Sequence, residues 1–452
     1  MKKLRSMLAV VVICALAVSL SACGGGEAAK NEPAQQSGAQ NQPAESGAKG
    51  NEAVELTYWE MMWGPAGTYT EAVNKLVNKF NEENGDNIKV KVQMTPWDNY
   101  YQVFLTAISS GAAPDVSTGA FPQAVQYARM DEILYLDSII EEWKAENIAD
   151  DFMPGMLDLH KYEGKQAGIP WVCDPRGITY RTDLFEKAGI TKLPQNWDEF
   201  LDVCRAIKSK TGVVPFVFGT ANNMGTHIMM NFMFNNGVGI TDQDIKSMFT
   251  DERVAETLRM FATLYKEKLI PEGIAGYKDS DAAKVYYSGN AAMVFQEPPT
   301  ALKDYPDIEK VSSIMPPLAG PKGQAQNFAW VNPIMAYKQT KSPDAAKKFI
   351  KWWMENNLPL WTEGKASSLP ARLSFMKDPY FAQNKFSKEF IEKIIPTVVS
   401  PVWPAKSIYT QFSQIEGENY LGKALQEIAT GNTDYEGIAK KTDELIVNAL
   451  KQ

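Results

Sequence analysis

Histidine and cysteine, which supply many metal ligands and catalytic nucleophiles, are scarce in this sequence. Among 452 residues there are two histidines, His160 and His227, and four cysteines. A zinc cage or a histidine-based catalytic triad therefore lacks side chains. No H-E-x-x-H, C-x-x-C, G-x-S-x-G, Walker A or G-x-G-x-x-G motif occurs, which argues against the enzyme classes that these motifs define. A two-carboxylate glycosidase has no fixed spacing and stays open, with Asp174 and Glu297 as one conceivable pair.

Positive charge and long apolar runs are also limited. Acidic residues outnumber basic ones by 54 to 46, giving a formal net charge of −8. Nucleic-acid binding requires a basic surface, so we expect no nucleic-acid partner. The mostly apolar run Met7–Leu20 has 14 residues, whereas a membrane span needs about 20. Its position after Lys2, Lys3 and Arg5 is typical of an export signal.

The end of this signal resembles the lipobox of bacterial lipoproteins, because small residues, Ser21 and Ala22, precede Cys23 directly. The resemblance implies that residues 1–22 are removed and that Cys23 becomes the lipid-modified first residue, which raises the net negative charge from −8 to −11 by loss of three basic residues. From Gly24 to Ala53 there is no large apolar or aromatic residue. Such a segment cannot offset its ordering entropy, so residues 23–53 are predicted to be a flexible tether. We expect a protein anchored on the extracytoplasmic face of the cell membrane.

The remaining body, 54–452, is too long for one simple core and predicts two lobes or domains. Its start alternates between strand and helix patterns: strand over 54–59, helix over 70–81, strand over 88–94, helix over 100–108 and a strand from Asp115. This order predicts a parallel α/β sheet, whose ligands lie beyond the carboxyl ends of the strands. The loops at 59–67, 96–100 and 117–123 are therefore the first places to look for a site. Cys173 and Cys204 do not make a disulfide scaffold, and whether they pair is left open.

Several segments resemble the extracellular solute-binding proteins of carbohydrate ABC importers, the group that includes maltose-binding protein. They occur in the order expected of that family: a Gly-Ala-Ala-Pro-Asp-Val turn at 111–116, a Gly-Lys-Gln-Ala-Gly-Ile-Pro stretch at 164–170, a helix with a closing glycine at 183–189, a Leu-Pro-Gln-Asn-Trp helix start at 193–197, a small-residue strand at 288–295 and a Ser-Leu-Pro-Ala-Arg turn at 368–372.

The resemblance implies a two-lobed periplasmic-binding-protein-like α/β fold with a hinge of three chain crossings, placed near 170–176, 295–299 and 328–334. The N-terminal lobe would hold 54–171 plus 298–332, and the C-terminal lobe 175–295 plus 335–452. It further implies a monomer that traps a mono- or oligosaccharide in the cleft by hinge closure and delivers it to a membrane permease. No cofactor, metal or catalytic residue is expected.

Sugar binding requires aromatic faces for the C–H side of a pyranose and planar polar groups for pairs of hydroxyls. At predicted strand ends, crossings and loops, the residues that meet this requirement are Trp63, Trp97, Asp115, Phe121, Trp171, Asp174, Arg176, Glu297, Trp330, Arg372 and Trp403. Each has a structural alternative: Trp97 could be a staple beneath a helix, Asp115 a cap on backbone amides, and Asp174 with Arg176 a pair that only fixes the turn.

One departure from the maltose-binding branch limits the ligand assignment. Glu297 stands where that branch carries an aromatic turn, so the sugar need not be a maltodextrin. Arg176 and Arg372 motivate an acidic, uronate-type oligosaccharide as the alternative ligand. An exported glycan hydrolase, and a surface sensor or adhesin on the same fold, are the alternatives of different class.

Overall fold

A computed structural model describes residues 53–152, 155–405 and 407–451. The predicted signal, Cys23 and almost all of the tether lie outside the described residues. The strands are β1 (Val54–Met61), β2 (Ile88–Thr95), β3 (Val116–Thr118), β4 (Ile133–Leu134), β5 (Lys161–Tyr162), β6 (Lys165–Gln166), β7 (Ile169–Pro175), β8 (Gly177–Arg181), β9 (Val214–Val217), β10 (Ala291–Gln296), β11 (Ser312–Met315), β12 (Asn327–Tyr337), β13 (Leu369–Pro370) and β14 (Val398–Val399).

Eighteen α-helices accompany these strands within the described ranges. They are α1 (Ala66–Glu83), α2 (Tyr100–Ser109), α3 (Gln123–Arg129), α4 (Asp137–Ala145), α5 (Thr182–Lys187), α6 (Trp197–Thr211), α7 (Met224–Asn235), α8 (Glu252–Lys266), α9 (Asp279–Tyr287), α10 (Pro306–Glu309), α11 (Pro343–Asn356), α12 (Pro359–Thr362), α13 (Leu373–Met376), α14 (Pro379–Gln383), α15 (Lys385–Lys393), α16 (Phe412–Gly417), α17 (Tyr420–Ala429) and α18 (Tyr435–Leu450). None of the described helices is both long and apolar enough to cross a bilayer.

The first lobe is built on an eight-stranded sheet with the order β13-β7-β12-β3-β1-β2, in which β4 and β14 also pair with β12. β1 runs parallel to β2 and to β3, as the strand-helix alternation predicts. Their carboxyl ends therefore lie at one edge, followed by the loops that carry Trp63, Trp97 and Phe121. All eleven residues of β12 are buried, which places this strand in the centre of the lobe.

Helix α1 shows how the sequence pattern produces this packing. Ala72, Val73, Leu76, Val77 and Phe80 recur at helical spacing and are all buried. The Phe80 ring packs against Phe349 of α11 with a centroid separation of 5.0 Å. The helix begins at Ala66 rather than at the predicted residue 70, because proline is well suited to the position just before a helix and its carbonyl accepts the first hydrogen bond.

The second lobe contains a four-stranded sheet with the order β11-β8-β10-β9. β10 is parallel to β9 and antiparallel to β8, so the carboxyl ends of β9 and β10 point the same way. Helix α7, with its Met- and Phe-rich run, is buried along its whole length. Cys173 and Cys204 are buried free thiols.

The sheet pairing differs from the predicted lobe boundaries in the later part of the chain. The first crossing lies at Arg176, between β7 and β8, within the predicted 170–176. The second does not occur at 295–299, because β11 still pairs with β8 in the second sheet; the chain returns between Met315 and Asn327. The third predicted crossing, 328–334, falls inside the continuous strand β12.

The segment after β12 also lies in the first lobe instead of the predicted second. Helix α11 packs against β1 and β12, and β13 pairs with β7. The chain passes to the second lobe only after Pro370. Helix α15 then packs on β11 of the second sheet. A strand that is buried on both faces shows no alternation of apolar and polar residues, so its sequence does not indicate the sheet to which it belongs. This is why the crossings predicted near 295–299 and 328–334 were misplaced.

Candidate ligand-binding cleft

Three tryptophans meet where the first lobe approaches the crossings. Trp63 follows β1, Trp97 follows β2 and Trp171 lies in β7. The Trp63 ring makes edge-to-face contacts with Trp97 at 4.7 Å and with Trp171 at 5.3 Å between centroids. The Trp97 indole donates to the Met62 carbonyl at 2.8 Å and is 36% exposed, so it offers an accessible aromatic face. The indole N–H groups of Trp63 and Trp171 are buried without a partner.

A second aromatic group surrounds Trp330. Its position in β12 is directly opposite Asp174 of β7, so both side chains leave the sheet on the same face. The Trp330 ring packs on His227 of α7 at 4.7 Å, on Phe121 at 5.8 Å and on Phe412 at 5.8 Å. These contacts join residues that follow β3 in the first lobe to helices of the second lobe. The Trp330 indole N–H also has no partner.

Charged groups gather at the crossing beside Trp330. Arg176 Nη1 lies 2.7 Å from Asp174 Oδ1, and the two side chains are only 9% and 13% exposed. Glu297, after β10, and Asp279, at the start of α9, act electrostatically on the same guanidinium. Burial raises the pKa of Glu297, while the neighbouring Arg176 opposes that rise. The carboxylates thus surround one arginine, near the residues that connect the lobes.

A direct polar contact also links the two lobes. Arg129 Nη1 of α3 donates to Thr410 Oγ1, just before α16, at 2.7 Å. In the first lobe Tyr100 packs on Trp97 at 5.3 Å between ring centroids, and burial raises the pKa of Tyr100 well above its usual range, with the charge of Glu416 adding to the rise.

Glu416 of α16 also organises polar groups of the second lobe. It accepts from Asn223 at 2.7 Å and contacts His227 Nε2 at 3.2 Å. Burial lowers the pKa of His227, so the ring is neutral at pH 7.

Three predicted site residues are instead held by neighbours in the protein. Asp115 accepts from the Thr57 amide at 2.7 Å and from the hydroxyls of Thr57 at 2.8 Å and Thr340 at 2.6 Å. Arg372 donates to Asp151 at 2.8 Å.

The third residue is Trp403, whose ring packs on Phe234 at 5.5 Å between centroids. Phe328 contacts both Phe234 and Trp330, so it lies between these two rings. Short acidic residues in turns and arginines beside carboxylates often have such structural roles, which sequence position alone does not distinguish from ligand contact.

The other predicted residues, Trp63, Trp97, Phe121, Trp171, Asp174, Arg176, Glu297 and Trp330, lie in the two aromatic groups and the charged cluster.

Residues that the sequence analysis did not assign to the site include Tyr100, Asn222, His227, Asp279 and Glu416. Asn222 follows β9, and the carboxyl ends of parallel strands are the expected place for ligands. Extending that rule to the second lobe would have found it. Tyr100 and Glu416 come from different lobes, and no sequence signal pairs them.

The carboxylate of Asp174 already has a partner in the protein, the Arg176 guanidinium at 2.7 Å. Among the described residues there is no cluster of His, Cys, Asp and Glu that could hold a metal ion. The site is suited to binding, with aromatic faces and fixed polar groups at the junction of two lobes.

Residues 66–356 match the family model of the bacterial extracellular solute-binding proteins. The chain belongs to this family. Among its relatives, the diacetylchitobiose binding protein DasA of Streptomyces coelicolor is 25% identical over 77% of each chain. A binding protein of Brucella abortus is 24% identical over 79% of this chain and 86% of its own.

Solved structures give the same picture of this solute-binding protein. A sugar transporter of Arthrobacter chlorophenolicus with bound laminaribiose has a TM-score of 0.80 and 27% identity, covering 88% of this chain and 100% of that one. Maltose-bound MalE3 of T. maritima has a TM-score of 0.74 at 20% identity, with 88% and 100% covered, and supports the two-lobed fold. The predicted family and fold class are confirmed. The family consists of sugar-binding components of ABC transporters, and its members compared here are binding proteins rather than enzymes.

Proposed function

We propose that this chain captures a mono- or oligosaccharide between its two lobes and delivers it to the permease of an ABC importer. The carrying observation is the set of ring contacts from Trp171 through Trp63 and Trp97 to Tyr100. Beside it, Trp330 packs on Phe121 of the first lobe and on rings of the second lobe. Aromatic rings of this kind cover the apolar face of a pyranose. Asp174 and Arg176 supply planar polar groups for hydroxyls at the same junction.

Isothermal titration with a panel of mono- and oligosaccharides tests this proposal. Binding of at least one saccharide is expected, and binding only of peptides or metal ions would contradict it. Trp97→Ala removes the exposed indole and should weaken the affinity about tenfold, because an aromatic face contributes about 1–1.5 kcal/mol. Trp352→Ala is the matched control: this partly buried indole lies on α11, where it packs on Phe80 at 5.3 Å, and should leave affinity unchanged.

We also propose that the protein works from a lipid anchor at Cys23 on the extracytoplasmic face of the membrane. The support is the lipobox-like sequence and the polar tether that follows it. Replacing Cys23 with Ser should abolish incorporation of labelled palmitate and move the protein from the membrane fraction to the soluble fraction. Retention of label by the Cys23→Ser variant would refute the anchor without affecting the binding proposal.

A further inference from the structure

We propose that the cleft selects saccharides that carry a protonated amino group and discriminates against uronic acids. This inference rests on the proposed function, since it names the ligand class of the same cleft. It follows from the charges of the site, from the existing partners of its arginine, and from two buried acceptor atoms that have no donor.

The charge of the cluster is unbalanced. Asp174, Asp279 and Glu297 supply three carboxyl groups from different parts of the chain, and among the described residues Arg176 is the cation with the largest effect on Glu297. The pair Asp174–Arg176 is internally neutral, so Glu297 and Asp279 determine the charge that a ligand meets. Burial raises the pKa of Glu297, and an incoming ammonium group would favour its ionised form.

One nitrogen of Arg176 is already engaged by the protein. Its Nη1 contacts Asp174 Oδ1 at 2.7 Å and donates to the carbonyls of Pro175 at 3.3 Å and Asp174 at 3.5 Å. A uronate that reached the remaining edge of the guanidinium would lie beside Asp174 and within electrostatic range of Glu297 and Asp279, and this concentration of negative charge disfavours it. The unpartnered Nε–H of Arg176 can donate to a neutral hydroxyl oxygen of the ligand. The second predicted cation, Arg372, is held by Asp151.

Two unpartnered acceptors near the charged cluster suit a ligand that donates there, whereas the unpartnered indole N–H groups of the tryptophans suit the hydroxyl oxygens of a saccharide. Asn222 gives its Nδ2 to Asp279 at 2.9 Å, which leaves its buried Oδ1 without a donor. His227 is 3% exposed and faces Glu416 with Nε2, so the proton lies on Nε2 and the unpartnered Nδ1 is an acceptor. His227 also lies within electrostatic range of Asp174 and Arg176. An ammonium group offers three N–H donors, whereas a carboxylate offers none.

Titration calorimetry of the whole mature protein with three matched β-1,4-linked series of two to six units tests the inference. The probes are glucosamine, glucose and glucuronate oligomers. The glucosamine series should bind at least about tenfold more tightly than the glucose series, and the glucuronate series more weakly than both. Equal or tighter binding of glucose or glucuronate oligomers would overturn the inference.

The outcome also separates this inference from the proposed function. If none of the three series binds but another neutral saccharide of the panel does, the amino-sugar assignment fails and the proposed function stands. If no saccharide binds at all, both fail. Added NaCl should reduce the preference for glucosamine oligomers, since it screens the charges that produce it.

A charge-removing substitution gives a second, independent readout. Glu297→Gln keeps the shape of the side chain and should lower affinity for glucosamine oligomers about tenfold more than affinity for glucose oligomers. A purely structural role would lower both affinities equally, and that result would overturn the assignment. Glu272→Gln is the control, because this second-lobe carboxylate is 80% exposed and paired with Lys268. It should change neither affinity.

Discussion

The buried carboxyl of Glu60 should make the stability of this protein fall as the pH rises through the neutral range. Glu60 is fully buried at the end of β1 and accepts hydrogen bonds from Tyr58, from Tyr69 at 2.5 Å and from Thr118 at 3.0 Å. Burial raises the pKa of Glu60 from 4.5 to about 7, although the three donors act in the opposite direction. The proposed perturbation is Glu60→Gln, which cannot ionise.

The magnitude follows from the two pKa values. The unfolded chain loses the Glu60 proton near 4.5, whereas the folded chain keeps it up to about 7. Between these values unfolding releases a proton, so the free energy of unfolding falls with rising pH. The contribution of Glu60 is fully present below pH 4.5 and has disappeared above about 7. Each pH unit is worth about 1.4 kcal/mol, which gives a change of about 3 kcal/mol over the window.

Urea unfolding from pH 4 to 8 measures this directly. Subtracting the stability curve of Glu60→Gln from that of the wild type removes the contributions of all other groups. Relative to Glu60→Gln, the wild type should lose about 3 kcal/mol in its free energy of unfolding as the pH rises from about 4.5 to 7.5. Glu55→Gln, an exposed position on the same strand, should give a curve parallel to the wild type. If the Glu60→Gln curve is also parallel to the wild type, the carboxyl has the same pKa in the folded and the unfolded chain and the reasoning is wrong.

Two further predictions separate structural from ligand-binding residues. Asp115→Ala should lower the free energy of unfolding by about 2 kcal/mol in urea titrations, because three hydrogen bonds to Thr57 and Thr340 are lost, and should leave sugar affinity unchanged. Arg129→Ala removes the hydrogen bond of 2.7 Å from Arg129 Nη1 to Thr410 Oγ1 across the lobes, which should increase the radius of gyration of the ligand-free protein in X-ray scattering and weaken sugar binding about two- to tenfold. Weaker binding by Asp115→Ala, or unchanged scattering and affinity for Arg129→Ala, would contradict these assignments.

The amino-terminal half of the fold could be predicted because apolar residues recur with different periods in its strands and in its helices. β1 and β2 are bounded by turns, and the apolar positions of α1 recur at helical spacing, so the parallel order follows from the connections. The later part could not be predicted in the same way. β12 is buried on both faces, and its pairing with β3 and β7 is a long-range choice that no local pattern encodes.

The residues of the candidate site could likewise be predicted only in part. Trp63, Trp97 and Glu297 were found because they directly follow strands, and the carboxyl ends of strands meet at one edge. Arg372 follows β13 and Asp115 precedes β3, and their partners, Asp151 and Thr340, are distant in sequence. Whether a polar group in a turn is free for a ligand depends on such partners, and these are known only once the chain has folded.

The position of the charged cluster connects ligand binding to lobe closure. Arg176 is the single residue between β7 and β8, which belong to different lobes, and its ion pair with Asp174 lies beside Trp330. A ligand held by these groups therefore contacts the crossing itself, as well as both lobes. Because a ligand shifts a conformational equilibrium only by its differential affinity for the two states, contacts that exist only in the closed state favour closure. Arg129 and Thr410 form a hydrogen bond across the lobes, so a substitution that removes it should change the preference for closure and the affinity for sugar together.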